Sequence, residues 1–192
     1  MSISLGAVSR LKINNVTIGA TSECTSIRTK YGKLLNQLVS CYKPYTIIEL
    51  GTALGISTTY LATGNKDALV ITVEANSQLC DLAGNHFSLN ELNNITLINK
   101  PFDDVLPELA APARGNLLVF IDGNHTYDST MRYYRFFSKL NDKTILVFDD
   151  INWSAGMHKA WIDIQNSPES GIAIDLFQMG IVFCGKKKRN IA

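Results

Sequence analysis

Two short acidic clusters hold the residues best suited to chemistry: Ile121-Asp122-Gly123-Asn124-His125-Thr126-Tyr127 and Phe148-Asp149-Asp150-Ile151-Asn152-Trp153. Each follows an apolar run, where a buried strand would give way to a loop. Asp122, Asp149 and Asp150, at neighbouring strand ends, suit a hard cation, because Mg²⁺ takes carboxylate, water and substrate oxygens. Without a cation the three acids must share protons. His125 stands three residues past Asp122. An imidazole there titrates near neutral pH and can act as a general base, with a solvated or capping histidine as the alternative.

A second kind of feature lies upstream, in Glu49-Leu50-Gly51-Thr52-Ala53-Leu54-Gly55-Ile56-Ser57. Gly51 lets the chain turn sharply after a strand and approach a ligand closely, and Gly55 allows close packing of the next helix. The spacing is not the G-x-G-x-x-G of a dinucleotide loop. Glu49 would repel a pyrophosphate and would not repel a cationic ligand. Glu74 ends the following strand, where a carboxylate accepts from both hydroxyls of a ribose. That reading fits any nucleoside-bearing cofactor, nicotinamide dinucleotides included.

These residues need a scaffold, and the chain alternates strand-like and helix-like segments, the pattern of a parallel sheet with helices on both faces. Residues 1–22 read as an irregular, polar segment containing Gly6 and Gly19. Ile27, Tyr31, Leu34, Leu35, Leu38, Val39 and Tyr42 form one stripe on a leading helix over 23–43, which Pro44 ends. The core spans 45–185. Strands are expected at 46–51, 68–75, 95–99, 116–122 and 144–149. Between them fall helices at about 57–63 (capped by Ser57), 77–90 (with Leu79, Leu82, Ala83, His86 and Phe87 on one face), 103–110 and 128–140. A further helix carries Met157, Ala160, Trp161 and Ile164. Two last strands, at about 171–177 and 180–185, are joined by a turn near Met179-Gly180 and must be antiparallel. The expected architecture is a mostly parallel seven-stranded α/β sheet with a C-terminal antiparallel hairpin. Ligands bind beyond the carboxyl ends of such strands, and four of the first five ends carry acids. The pattern suits a site for hydroxyls, cations or both.

Composition excludes several classes. The 192 residues suit one domain over 1–192, and 46% hydrophobic with 18% charged residues suits a full core. A net charge of +1 provides no field for nucleic acid or an anionic membrane. The run Lys186-Lys187-Lys188-Arg189 reads as a solvated tail. Cys24, Cys41, Cys80 and Cys184 form no C-x-x-C pair and fit free thiols in a reducing cytoplasm, with Cys80 and Cys184 in the core. Neither a signal peptide nor a membrane span is evident. His86 and His158 read as packing or surface residues, and Trp153 as either a pocket wall or core.

The glycine loop and Glu74 resemble motif I and the following acidic motif of class I S-adenosylmethionine-dependent methyltransferases, which implies a Rossmann-like fold. Glu49 to Ser57 looks particularly like the catechol and caffeoyl-CoA O-methyltransferases. The resemblance implies that Gly51, Thr52, Gly55 and Ser57 line the cofactor and that Glu49 faces its amino group. It further implies that Glu74 holds the ribose and that Phe102 and Asp103, after Pro101, meet the adenine. The acidic clusters resemble the metal-dependent O-methyltransferases of the macrocin and mycinamicin type. That likeness implies Mg²⁺ on Asp122, Asp149 and Asp150, with His125 as base and Asp122 beside it at the cofactor. The catechol type carries Asn where Asp150 stands and lacks this histidine. The expected activity is methyl transfer to a hydroxyl of a small molecule, with no nucleic-acid or membrane partner and with a homodimer left open. A non-catalytic cofactor-binding module and an NAD-dependent oxidoreductase are the competing readings.

Overall fold

The computed structural model describes residues 27–113 and 115–185. The expected irregular segment at 1–22, Cys24 and the basic run at 186–189 lie outside the described residues. The chain runs α1 (Thr29–Tyr42), β1 (Thr46–Leu50), α2 (Ile56–Gly64), β2 (Leu69–Glu74), α3 (Ser77–Leu89), β3 (Ile95–Asn99) and α4 (Phe102–Leu109). It continues through β4 (Leu117–Ile121), α5 (Tyr127–Phe137), β5 (Thr144–Phe148), α6 (Ala155–Asn166), β6 (Ser170–Asp175) and β7 (Gly180–Cys184). Among the described residues no helix is long and apolar enough to cross a membrane.

Among the described residues the sheet has seven strands in the order β3-β2-β1-β4-β5-β7-β6. The first five strands of that order are parallel, and β7 inserts antiparallel between β5 and β6. The Rossmann-like sheet and the C-terminal hairpin are therefore as expected. β1, β4 and β5 are buried at every position, because helices cover both of their faces. Alternate residues go to opposite layers. Ile48, Leu50, Val119, Ile121, Leu146 and Phe148 join the layer with Val105, Tyr133, Phe137 and Trp161 of α4, α5 and α6. Ile47, Leu118, Phe120, Ile145 and Val147 join Leu35, Val39 and Leu61 of α1 and α2.

Four local expectations change. The leading helix expected over 23–43 begins at Thr29, after the extended N-cap residue Arg28, so Ile27 precedes it. Ser57 does not cap α2: Gly55 is the N-cap residue, at φ 80°, with no side-chain bond to the helix. Phe87 is the reason for glycine there, since a Cβ on Gly55 would lie 2.4 Å from its ring. The buried face of α3 is Cys80, Ala83 and Phe87, and Leu82 is exposed. Trp153 is 60% exposed and belongs to no core, whereas Cys80 and Cys184 are buried as expected.

Candidate active site

The carboxyl ends of β1, β2, β4 and β5 bring the acids together. Asp122 and Asp149 lie one residue beyond their strands, but the ladder continues through their amides. Asp122 N–H donates to Leu50 O at 2.9 Å, and Asp149 N–H donates to Ile121 O at 3.0 Å. Each acid is thereby held beside the end of the neighbouring strand. The β1 and β4 loops touch directly. A Cβ on Gly51, at φ 112°, would lie 2.1 Å from Asp122 O, so only glycine fits. A narrow cleft at this junction is lined by Ile27, Gly51, Thr52, Ser57 and Asp122 among others. A cavity of about 380 Å³ lies apart from these loops, between α5 and α6.

Glu49 points to the α1–α2 side of the sheet and is fully buried. Its Oε2 accepts from Thr58 Oγ1 at 2.5 Å and from Thr72 Oγ1 at 2.6 Å, and Thr72 meets Thr52 Oγ1 at 2.5 Å. Oε1 is buried with no partner. Burial pushes the carboxyl up to about 7, outweighing the hydroxyls that favour its charge. Sequence reading missed Thr58 and Thr72. Thr72 left a signal, a hydroxyl inside the apolar run Leu69-Val70-Ile71-Thr72-Val73, whereas Thr58 left none.

Glu74 holds two backbone amides, Ala53 N at 3.0 Å on Oε2 and Asn76 N at 2.9 Å on Oε1. It clamps the glycine loop to the end of β2, and Ala53 in that loop takes a left-handed φ of 45°. Phe102 packs on Gly123, where a Cβ would lie 2.5 Å from its ring. The Asp103 carboxylate is bidentate on Arg132, with Nε and Nη2 both at 2.9 Å.

His125 Nε2 is 3.5 Å from Asp122 Oδ1. That distance suggests an ion pair, whereas burial acts the other way on both groups. Burial pushes Asp122 well above the usual carboxylate range, helped by the charges of Asp149, Asp150 and Glu49. Burial also lowers His125, outweighing the pull of Asp150. Desolvation is the stronger effect at 3.5 Å, so His125 is neutral at neutral pH. Asp149 is pushed up to about 7 by burial and by Asp150, partly countered by Arg28, and its Oδ1 is buried without a partner. Asp150 and Asn124 are held at φ 53°, so the loops after β4 and β5 each carry a left-handed residue. Among the described residues, no group of three or more His, Cys, Asp or Glu side chains is drawn together tightly enough to hold a metal ion.

His86 bonds Thr59 and His158 bonds Asn152 at 2.7 Å, so both histidines serve packing and loop contacts.

Solved structures of similar fold cover most of the chain. The O-methyltransferase TomG of Streptomyces achromogenes, involved in tomaymycin synthesis and solved with S-adenosylmethionine, superposes with a TM-score of 0.72. Its identity is 18%, over 84% of this chain and 83% of that one. An O-methyltransferase of Bacillus cereus with S-adenosylhomocysteine gives a TM-score of 0.69 at 23% identity, over 82% and 83%. The methyltransferase PaMTH1 of Podospora anserina gives 0.69 at 15%, over 84% and 81%. At these identities the likeness establishes the fold. No curated protein matches the chain. The match that goes beyond fold is to the family of the methyltransferase domain, over residues 48–151, from the middle of β1 to the loop past Asp150. That span holds the glycine loop, Glu74, the Asp122–His125 pair and the Asp149-Asp150 pair, and the chain belongs to the methyltransferase-domain family.

Proposed function

We propose that this protein transfers a methyl group from S-adenosylmethionine to a hydroxyl of a small molecule, with His125 as the base. The observation that carries the reading is the contact between the Gly51 turn and Asp122. It sets the glycine loop against Asp122, three residues before His125, which supports a reading in which donor and base lie close together. The buried, unpartnered Oε1 of Glu49 suits a cofactor that brings an ammonium charge. TomG and the Bacillus cereus enzyme, with S-adenosylmethionine and S-adenosylhomocysteine respectively, support that choice.

The chain's own residues have distinct tasks in this reading. Gly51, Thr52, Gly55 and Ser57 line the methionine part, and Glu49 faces its ammonium. Glu74 holds the ribose with lone pairs left over from its two amide bonds. Phe102 meets the adenine. Asp103 meets it through its backbone, since its carboxylate is committed to Arg132. The sulfonium methyl is already activated, so alignment supplies most of the rate. The methyl leaves sulfur for the acceptor oxygen, and the hydroxyl proton passes to the neutral His125 ring beside Asp122.

The donor set suits a hard cation, because it is all carboxylate and includes the unpartnered Asp149 Oδ1. Asp122, Asp149 and Asp150 would hold Mg²⁺ only by drawing closer together than they stand here. The ion would lower the pKa of the acceptor hydroxyl.

Calorimetry with S-adenosylhomocysteine tests the cofactor half, with micromolar binding expected and no heat at high micromolar ligand refuting it. A screen of hydroxylated acceptors with and without EDTA tests the rest. Full turnover in EDTA removes the cation from the reading.

A further inference from the structure

His125 must be held in place by something other than its own ring. Among the described residues its one polar contact is the 3.5 Å approach to Asp122, at the outer limit of a hydrogen bond. The backbone on either side is better anchored. Thr126 is the N-cap of α5, and its hydroxyl accepts from Ser129 N. Asn124 takes the left-handed φ of 53°, which L-residues enter at a cost, though asparagine enters more readily than most. Its Nδ2 donates to the hydroxyl of Tyr133 at 2.7 Å.

Tyr133 is fully buried two turns into α5, so its hydroxyl is a fixed point. Phe102 completes the bracket. Its ring meets Tyr133 edge-on, with centroids 6.2 Å apart, and leaves no room for a Cβ at Gly123. The loop from Asp122 to Thr126 is thus closed in by Phe102, tied to Tyr133 through Asn124, and capped onto α5.

We propose that Tyr133 is a positioning residue, which through the Asn124 amide holds the Asp122–His125 loop in its folded conformation and so fixes where the imidazole sits. Its functional consequence rests on the reading of His125 as base, and its structural half does not. Tyr133 touches no reacting atom; it ties down the side chain of Asn124, the residue before the one that does. Removing the hydroxyl frees the Asn124 side chain and lets φ at position 124 relax.

Imidazole ¹H–¹⁵N spectra of the full-length protein test the proposal directly, with His86 and His158 as internal references. In Tyr133→Phe the His125 ring signals are expected to move towards those of a free histidine and to broaden, with the two reference histidines unchanged. Asn124→Gly, which permits the left-handed φ without strain but no longer ties the loop to Tyr133, should do the same and covers the case of a poorly folded Tyr133→Phe. With an acceptor in hand, kcat falls about tenfold in either variant while KM for the cofactor moves less than twofold. His125 signals that are the same in both variants as in the wild type overturn the proposal. Full turnover in His125→Ala alongside shifted ring signals in Tyr133→Phe would sink the base and leave the positioning intact.

Discussion

Replacing Glu49 by glutamine should stabilise the ligand-free protein, and increasingly so as pH rises. Glu49 is fully buried, and its carboxyl titrates near 7 instead of the usual 4.5. Between those values the folded chain keeps a proton that the unfolded chain has released, so stability drops with rising pH by about 1.4 kcal/mol per unit. By pH 8 the burden reaches about 3 kcal/mol, whereas at pH 5 it is about 1 kcal/mol or less. Glutamine is nearly isosteric. Its carbonyl can accept from Thr58 and Thr72 as Oε2 does, and its amide takes the place of the unpartnered Oε1. It never ionises, so it carries none of this penalty. For a domain of this size the gain at pH 8 corresponds to a Tm rise of about 6–12 °C. Thermal melts of both proteins, without ligand, at half-unit steps from pH 5 to 8 give the comparison. A Tm gap that is constant with pH, or a variant less stable than wild type at pH 8, would refute the argument. The same variant should bind S-adenosylmethionine more weakly, because the charge that costs stability is the one proposed to meet the ammonium.

Other substitutions probe other parts of the site. Gly51→Ala forces a side chain onto Asp122 O at 2.1 Å, in a left-handed conformation, and should cost about 3 kcal/mol or more by denaturant melts; a loss below about 1 kcal/mol would mean the two loops part freely. His125→Ala should lower kcat by about 10²- to 10⁴-fold, with affinity for S-adenosylhomocysteine held within twofold by calorimetry. Glu74→Ala removes the acceptor of Ala53 N and Asn76 N and should weaken cofactor binding by about 1–3 kcal/mol in the same assay. Asp103→Ala breaks a surface pair with Arg132, both about half exposed, and should change stability by less than about 1 kcal/mol. It should also leave cofactor affinity unchanged, since the carboxylate faces Arg132.

Much of this protein was legible in one dimension. Strands such as Leu117–Ile121 and Thr144–Phe148 are unbroken apolar runs, because a parallel strand covered on both faces has no polar side to show. The hairpin was legible because two strands so close in sequence cannot be parallel. The acids at 49, 74, 122, 149 and 150 stood out because an acid at the end of an apolar run is conspicuous. What the sequence could not supply was which partner each side chain meets, since that depends on register and on loops crossing between strands. Phe87, more than thirty residues from Gly55 in the chain, decides that glycine and not Ser57 begins α2. Thr58 and Thr72 converge on Glu49 only once β1 and β2 pair in register. Arg132 takes the Asp103 carboxylate only because α5 lies beside α4. Local propensity and hydrophobic period are written along the chain and determined the elements and their order. The protonation of Glu49, Asp149 and His125 was decided by the tertiary structure, because desolvation depends on what packs around a group, wherever in the chain it comes from.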